Sequence, residues 1–462
     1  MTSWVPALSE TGPRYLAIAD AITHDLSSGK LKPGDRLPPQ RELAWKLGVT
    51  LGTVTRGYQE AQQRGLLSGE VGRGSYLREP GAAMAAVQSM ALSEPGVLNL
   101  QISAPPRIHQ LADLEAAFRD IARDPAWHDL LDYSPTAGFP AHLAMGAAWL
   151  AKSDVTVSPD QVVLSAGAQA ALITTLATLS RPGETLMIEP LTYPTMQPIA
   201  QHFGLHLRAI QADGEGVLPE SIERHARHGE ARLLYLVPTL HNPTSVTLSA
   251  ERRAAIADLA RRHDFTIIED DVFRLLSADP PPPIQALAPE RTYYITSLSK
   301  TMAPGLRVAF IAPPPGAAEA LNRQQMVIGG RPTALAAEVA RRWLDSGVAE
   351  RALVAIRQEL AARREIVLEV FRGLDFACNP GAMSVWTQLP ARWKPGEFAS
   401  ATQAMGVKVT PGNAFAMDPL TPHQAFRACL GPTHNRASLK DGLARLRALM
   451  EQGRADEFQN MA

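Results

Sequence analysis

Several features that would define a protein class are scarce or absent in this chain of 462 residues. It has only two cysteines, Cys378 and Cys429, which lie far apart and lack the spacing of a metal site. We therefore expect neither a disulfide framework nor a bound metal. No apolar run approaches the roughly 20 residues that span a bilayer, and the stretch MTSWVPALSE lacks the pattern of a secretory signal. The sequence predicts a soluble cytoplasmic protein without membrane contact.

An excess of charge of either sign is also absent, because the net charge is -1 and hydrophobic residues make up 45% of the chain. This excludes a disordered acidic tail or a basic nucleic-acid coat as a description of the whole chain. A prior of roughly 150 residues per domain predicts two to four domains. Residues 31–80 differ from the rest, since 8 basic and 5 acidic side chains give them a local charge of +3.

Helical spacing of apolar residues predicts three helices near the N-terminus, over residues 13–29, 41–48 and 51–64, with Thr50 as the N-cap of the third. The stretch LLSGEVGRGSYLR then alternates around glycines, as a two-stranded wing does. This order is that of a winged helix-turn-helix, in which the second helix of the pair enters the major groove of DNA. The alternative is a winged helix used only for protein contacts.

The stretches LKPGDRLPPQRELAWKLGV, GTVTRGYQEAQQRGLL and GRGSYL resemble the GntR family of bacterial regulators. We assign residues 1–80 to this DNA-binding domain and the alanine-rich residues 81–97 to a linker. Leu51 departs from the family pattern, because an arginine is common at its position, so either base readout there is expected to differ or a phosphate contact is expected to be lost. The resemblance implies DNA contacts from residues of the helices and the wing: Arg41, Thr50, Gly52, Thr53, Arg56, Arg73 and Gly74.

Beyond residue 130, short strand-like runs alternate with helical stretches, which predicts a mainly parallel sheet. Ligands of such sheets bind beyond the carboxyl ends of the strands. Runs that read as strands end near residues 165, 189, 237, 269 and 296. Residues able to hold a ligand follow them, and an arginine opens the next strand: Gly167, Ala168, Gln169, Tyr193, Asn242, Asp270, Lys300 and Arg307.

A glycine turn, an aromatic ring, an amide, a carboxylate, a lysine and an arginine together fit pyridoxal 5′-phosphate. Its aldehyde forms a Schiff base with a lysine, its ring nitrogen pairs with a carboxylate, and its ring stacks on an aromatic side chain. Its phosphate suits a helix N-terminus and a guanidinium. Each residue alone has an ordinary interpretation, such as a solvated lysine or a core tyrosine. Their joint occurrence at successive strand ends predicts the cofactor site.

Residues from 98 onward also resemble the fold type I aminotransferases, through DYSPTAGFP, SAGAQAAL, EPLTYP, HNPT, IIEDD, SLSKTMAPGLR, PGNAF and AFRACL. The resemblance implies an aminotransferase-like domain over residues 98–455, with a mainly parallel central sheet and a smaller C-terminal α/β subdomain over about 345–455. It also implies dimerisation through this domain, with Tyr133 reaching the phosphate of the neighbouring subunit.

The same resemblance implies individual roles. Lys300 would be the catalytic residue that carries the cofactor, Asp270 would pair with the pyridine nitrogen, and Asn242 would bond the ring hydroxyl. Tyr193 would stack on the ring, and Arg427 would bind the α-carboxylate of an amino acid. Phosphate contacts are implied for Ala168, Gln169, Ser297 and Arg307, and Gly167 and Ser299 are implied as further cofactor-binding residues.

Two departures from the aminotransferase pattern concern the ring and its neighbourhood. A tyrosine commonly follows the aspartate by two or three residues, but Val272 and Phe273 stand there in this chain. Ser245 stands where a glycine usually follows the NPT motif. Loss of the tyrosine hydroxyl is expected to favour cofactor binding over fast turnover.

A GntR-type domain joined to an aminotransferase-like domain is the arrangement of the MocR-type regulators, and the resemblance covers nearly the whole chain. It implies a homodimeric transcriptional regulator that binds a double-stranded DNA operator and pyridoxal 5′-phosphate, and that senses the cofactor, an amino acid or an amine. Two alternatives stay open. One is an active aminotransferase with an accessory DNA-binding domain, and the other is a scaffold without cofactor.

Overall fold

The computed structural model describes residues 4–6, 8, 13–27, 30–32, 35–63, 66–70, 74–77, 96–108, 111–227, 229, 231–417 and 423–459. These residues form two compact units, one before residue 90 and one after it. The predicted linker lies outside the described residues, apart from residues 96 and 97.

The first unit consists of three helices and a two-stranded wing. Its elements are α1 (Arg14–Ser27), α2 (Gln40–Leu47), α3 (Leu51–Gln63), β1 (Leu67–Glu70) and β2 (Gly74–Leu77). The two strands pair antiparallel, with Leu67 opposite Leu77. The predicted winged helix-turn-helix is confirmed, with helix ends that differ from the prediction by up to two residues.

Apolar side chains spaced at helical intervals hold this unit together, because they face one another across α1, α2 and α3. Ile18, Leu43 and Val54 are fully buried in this core. A Cβ atom added to Gly57 would lie 2.9 Å from the Cβ of Ile18, so the glycine allows α1 and α3 to pack closely. Thr50 caps α3 as predicted, since its hydroxyl accepts the backbone N–H of Thr53 at 3.2 Å.

The second unit is built around a seven-stranded sheet. Its first strands in chain order are β3 (Leu98–Asn99), β4 (Val163–Ser165), β5 (Thr185–Ile188), β6 (His206–Ala209), β7 (Ala212–Asp213), β8 (Gly216–Val217), β9 (Leu233–Leu236), β10 (Thr266–Asp270), β11 (Thr292–Ser297) and β12 (Ala309–Ala312). The order across the large sheet is β4-β12-β11-β10-β9-β5-β6. Strand β12 is antiparallel to both neighbours, and the other pairs are parallel. This confirms the predicted mainly parallel sheet.

Helices connect and cover these strands, which is why the central strands are almost wholly apolar. They are α4 (Leu111–Arg123), α5 (Pro140–Ala151), α6 (Ala168–Leu179), α7 (Met196–His202), α8 (Pro219–Ala226), α9 (Ala250–His263), α10 (Ile284–Leu287), α11 (Ala318–Ile328), α12 (Ala334–Asp345), α13 (Val348–Val370), α14 (Pro395–Ala404) and α15 (Arg436–Gln459). None of the described helices carries an apolar stretch long enough to cross a bilayer.

A smaller antiparallel sheet lies toward the C-terminus. The strands of this part of the chain are β13 (Phe376–Ala377), β14 (Ser384–Gln388), β15 (Val407–Lys408), β16 (Thr410–Pro411) and β17 (Ala425–Cys429), and all but β15 belong to the small sheet. The order is β13-β14-β17-β16, while β15 pairs in parallel with β3. The start of the second unit is therefore held to its C-terminal part.

Candidate functional sites

Three strand ends of the large sheet align where the phosphate contacts were predicted. Ser297 at the end of β11 pairs with Ala309 at the start of β12, which in turn pairs with Ser165 at the end of β4. Gly167 follows β4 by two residues, and Arg307 precedes β12 by two residues. The register therefore brings Ser297, Gly167 and Arg307 to one edge of the sheet.

Gly167 forms the turn into α6 and lies directly against Arg307. It has φ +91, and a Cβ atom added there would lie 2.4 Å from Nη2 of Arg307. The guanidinium therefore lies beside the N-terminus of α6, whose first residues are Ala168 and Gln169. Because a helix N-terminus and a guanidinium both favour an anion, this corner suits a phosphate.

Three hydroxyl groups at the same edge support this interpretation. The side-chain oxygens of Ser297, Ser299 and Thr301 are buried and have no hydrogen-bond partner within the described part of the chain. Buried polar groups without partners cost free energy, and phosphate oxygens accept hydrogen bonds from hydroxyls. The residues present thus fit the phosphate of pyridoxal 5′-phosphate.

Asp270 ends β10 and offers one carboxylate oxygen to a ligand. Its Oδ2 accepts a hydrogen bond from the hydroxyl of Tyr235 at 2.8 Å, whereas its buried Oδ1 has no partner among the residues described. Burial raises the pKa of Asp270 to about 6, against the lowering effect of the Tyr235 bond and of the positive charge of Lys300. A pyridine nitrogen that carries a proton fits the free oxygen.

Lys300 follows β11 and lies close to the aromatic ring of Phe273, with its Nζ 5.6 Å from the ring centroid. Its amine donates a hydrogen bond to the backbone carbonyl of Ser103. Burial lowers the pKa of Lys300 to about 8, so a larger fraction of the amine is uncharged near neutral pH than for an exposed lysine. An uncharged amine is the form that attacks an aldehyde.

Tyr193 lies among these groups, as the prediction of a stacking residue requires. Its hydroxyl donates to Oε1 of Gln169 at 3.4 Å. Burial raises the pKa of Tyr193, and the charges that act on it are those of Asp270, Arg307 and Arg427. Its role as the stacking residue stays a prediction.

Arg427 on β17 is held by polar groups from two directions. Its Nη1 donates to Oδ1 of Asn242 at 2.7 Å, and its Nη2 donates to the backbone carbonyl of Gln101 at 2.5 Å. The guanidinium carbon lies 4.8 Å from the ring centroid of Phe415, while Nε has no partner in the described residues. The structure thus places the two residues predicted for the ring hydroxyl and the carboxylate in direct contact.

Residues 98–104, which we call the strap, connect Lys300 and Arg427 with the start of the second unit. The carbonyl oxygens of Ser103 and Gln101 accept the bonds from these two side chains. Backbone bonds from Leu98 to Gly406, from Leu100 to Lys408 and from Cys429 to Leu100 fix the strap to β15 and β17. These contacts could not be predicted from the sequence, because every residue carries a backbone carbonyl.

Tyr133, predicted to reach a neighbouring subunit, contributes nothing to the site of its own chain. Its side chain is fully exposed, at 103% of the reference area. The contact with a neighbouring subunit stays a prediction.

The predicted DNA contacts on α2 and α3 lie on the surface of the first unit. Arg41, Thr50, Gly52 and Arg56 are exposed, and Thr53 is half-buried. The Arg56 guanidinium also lies over the ring of Tyr15, 4.4 Å from its centroid, which packs this arginine against α1. Gly74 begins β2, whereas Arg73 lies outside the described residues.

Gly167→Ala is expected to weaken binding of pyridoxal 5′-phosphate by roughly tenfold or more, because the added methyl group displaces Arg307 from the phosphate corner. A titration followed by tryptophan fluorescence measures the dissociation constant. Gly183→Ala is the matched control, since Gly183 has φ +90 but nothing within 4 Å of an added Cβ. Equal affinities for the two variants would contradict the prediction.

Comparison with known families divides the chain in the same way as the structure. Residues 95–446 match the family described as aminotransferase class I and II, and residues 14–77 match the gntR family of bacterial regulatory proteins. The HTH-type transcriptional regulator YdeF of Bacillus subtilis is 27% identical over 455 residues, which cover 97% of each chain.

Two further similarities extend this result. The vitamin B6 salvage pathway transcriptional repressor PtsJ of Salmonella typhimurium is 29% identical over 87% of this chain and 90% of its own. Kynurenine aminotransferase of Pyrococcus horikoshii aligns over 81% of this chain and 95% of its own, with a TM-score of 0.73 and 23% identity. The last comparison shows the fold alone and confirms fold type I.

Proposed function

Because this chain belongs to the aminotransferase class I and II family and carries a gntR-family domain before it, we propose that it is a ligand-controlled transcriptional regulator. It binds DNA through its first unit and pyridoxal 5′-phosphate through its second. The cofactor supplies a reactive aldehyde and an electron-withdrawing ring.

In this proposal each part of the cofactor has a partner in the second unit. Lys300 provides the amine for covalent attachment, and Asp270 Oδ1 pairs with the ring nitrogen. Tyr193 covers the ring, and Asn242 bonds the ring hydroxyl. The phosphate is bound by residues of the sheet edge: Gly167, Ala168, Gln169, Ser297, Ser299 and Arg307.

The regulatory role is supported by the two hydrogen bonds that Lys300 and Arg427 donate to the strap. The strap follows the linker from the DNA-binding domain, and its carbonyls bind Lys300 and Arg427. A ligand that engages either side chain competes with the strap for it. Ligand binding can therefore change how the strap is held and, through the linker, how the DNA-binding domains are placed on operator half-sites.

The effector is pyridoxal 5′-phosphate itself, or an amino acid or amine. The cofactor as effector is supported by similarity, over most of the chain, to a repressor of a vitamin B6 salvage pathway. An amino acid as effector is supported by the position of Arg427 beside Asn242, where the arginine can bind an α-carboxylate. Titration of the protein on DNA with the cofactor alone, and then with amino acids and amines, separates these possibilities. A change in DNA affinity upon cofactor addition alone identifies the cofactor as an effector.

We propose that the second unit forms a homodimer through a surface that includes Tyr133. Arg331 donates hydrogen bonds to the carbonyls of Pro135 and Thr136, so the loops around residues 131 and 331 are neighbours. Several exposed apolar side chains lie in these loops or near them in the sequence: Phe118, Trp127, Leu131, Met326, Val327, Ile328 and Leu335. Burial of such a surface by a second copy stabilises association.

An active aminotransferase is the second possibility, because Lys300, Asp270 and Arg427 supply an amine, a ring-nitrogen partner and a carboxylate site in one place. Turnover distinguishes the two. A regulator is expected to exchange an amino group with a keto acid more slowly than about once per minute, whereas typical enzymes turn over near 10 per second. Rapid turnover would favour the enzyme.

Arg41→Ala and Arg56→Ala are each expected to weaken DNA binding and to reduce the slope of log affinity against log salt by about one, if each arginine contacts a phosphate. The probe is a duplex selected from a random pool by the full-length protein. Arg41 is exposed at the start of α2. Because Arg56 packs on Tyr15, Arg56→Ala is also expected to lower the stability of the protein slightly. Arg232→Ala, an exposed arginine of the second unit, is the control.

Unchanged affinity and salt slope for both variants would overturn the assignment of this surface to DNA.

A further inference from the structure

The carboxylate of Asp270 is bonded by a tyrosine from the neighbouring strand that the sequence motifs do not include. Tyr235 lies on β9, where it pairs with Ile268 of β10, and its side chain is fully buried. Its hydroxyl donates to Oδ2 of Asp270 at 2.8 Å. Oδ1, the other oxygen, is buried and without a partner in the described part of the chain.

The two positions that follow Asp271 carry apolar side chains, so the hydroxyl that bonds the Asp270 carboxylate comes from Tyr235 instead. Val272 and Phe273 are both buried and have no hydroxyl. The titratable groups that act on Asp270 or on Tyr235 come from several elements around them: Asp271, Lys300, Tyr193 and Glu189. Within this set, a direct hydrogen bond joins Asp270 and Tyr235.

We infer that Tyr235 is a positioning residue for the cofactor, whose hydroxyl holds one oxygen of Asp270 and directs the other to the ring nitrogen. The inference rests on the proposed binding of pyridoxal 5′-phosphate. By donating a hydrogen bond to the carboxylate, Tyr235 stabilises the ionised form of Asp270. It thereby favours the shared proton on the ring nitrogen rather than on Asp270.

The direction of the effect follows from burial. Burial raises the pKa of Asp270 to about 6, and the bond from Tyr235 opposes this rise. Without the hydroxyl the carboxylate becomes more basic and draws the proton from the ring nitrogen. An unprotonated ring is a weaker electron sink, so the tyrosine hydroxyl also tunes the reactivity of the bound cofactor.

Tyr235→Phe tests this inference in the full-length protein loaded with ring-labelled [¹⁵N]pyridoxal 5′-phosphate. The nitrogen resonance is expected to shift toward that of an unprotonated pyridine, and the dissociation constant is expected to rise by about tenfold. Tyr294→Phe is the matched control. It removes the hydroxyl of another fully buried tyrosine, which lies 3.5 Å from Oδ2 of the adjacent Asp271.

A second variant keeps the test valid if Tyr235→Phe does not fold. Incorporation of 3-fluorotyrosine at position 235 nearly preserves volume and makes the phenol a stronger donor, so the resonance should move in the opposite direction. A resonance unchanged from the wild type with fluorotyrosine, or in a folded Tyr235→Phe protein, would overturn the inference. Failure of the wild-type protein to bind the cofactor would instead refute the proposed function.

Discussion

Lys300→Ala is expected to abolish covalent attachment of pyridoxal 5′-phosphate. Borohydride treatment of the loaded wild-type protein should leave a stable mass adduct on the peptide that contains Lys300, and the variant should show none. The fold should persist, because burial already disfavours the charged form of this amine. Lys394→Ala is the control, since Lys394 is exposed and pairs with Glu397 at 3.3 Å on the surface of the second unit.

The pH dependence of attachment gives an independent check on the same lysine. Only the uncharged amine attacks the aldehyde, and burial lowers the pKa of Lys300 to about 8. The rate of attachment should therefore rise from pH 7 to about pH 9 and then level off. An ordinary lysine, with a pKa near 10.4, would give a rate that still rises beyond pH 10. An adduct on another lysine would refute the assignment.

Gly431→Ala is expected to displace the strap and to lower the free energy of unfolding by about 1–3 kcal/mol or more. A Cβ atom added to Gly431 would lie 1.7 Å from the carbonyl oxygen of Ala104. Because that oxygen belongs to the backbone, a change of side-chain rotamer cannot relieve the clash. Hydrogen exchange of the strap, residues 98–104, should accelerate, and urea denaturation should give the loss of stability.

The control for this variant is Gly396→Ala on α14, where an added Cβ meets nothing within 4 Å. If the strap transmits ligand binding, Gly431→Ala should also remove the effect of the cofactor on DNA affinity while DNA binding itself remains. Unchanged exchange of residues 98–104 would show that the backbone accommodates the methyl group, and the coupling proposed for the strap would then lack its structural basis.

The sequence was sufficient to predict the elements that depend on apolar periodicity and turn residues. The strands that end near Asp270 and Ser297, and the helices α1 and α3, were predicted within a few residues because their burial pattern repeats along the chain. The run QVVLS reads as a strand from residue 161 onward, but β4 begins at Val163, because Gln161 belongs to a 3₁₀ turn.

Features that depend on contacts between segments far apart in the sequence could not be predicted from apolar periodicity or turn residues. Tyr235 lies in the run LLYL and looks like any core strand residue, so its bond to Asp270 required the register of β9 and β10. The contact of Arg56 with Tyr15 required the packing of α1 on α3. The strap contacts Lys300 and Arg427 through backbone carbonyls, which every residue possesses, so no residue type indicates these contacts. The roles assigned to individual residues of the cofactor site stay predictions until ligand binding is measured.

Strand β12, the one antiparallel member of the large sheet, has a consequence for how this site can evolve. Its reversal lets the chain return from Lys300 to Arg307 within a single tight connection, so the lysine proposed to attach the cofactor and the arginine proposed to bind its phosphate share one short piece of backbone. An insertion or deletion in this connection would change the separation of the two groups. Substitutions in the flanking strands, by contrast, leave the separation of the two groups fixed.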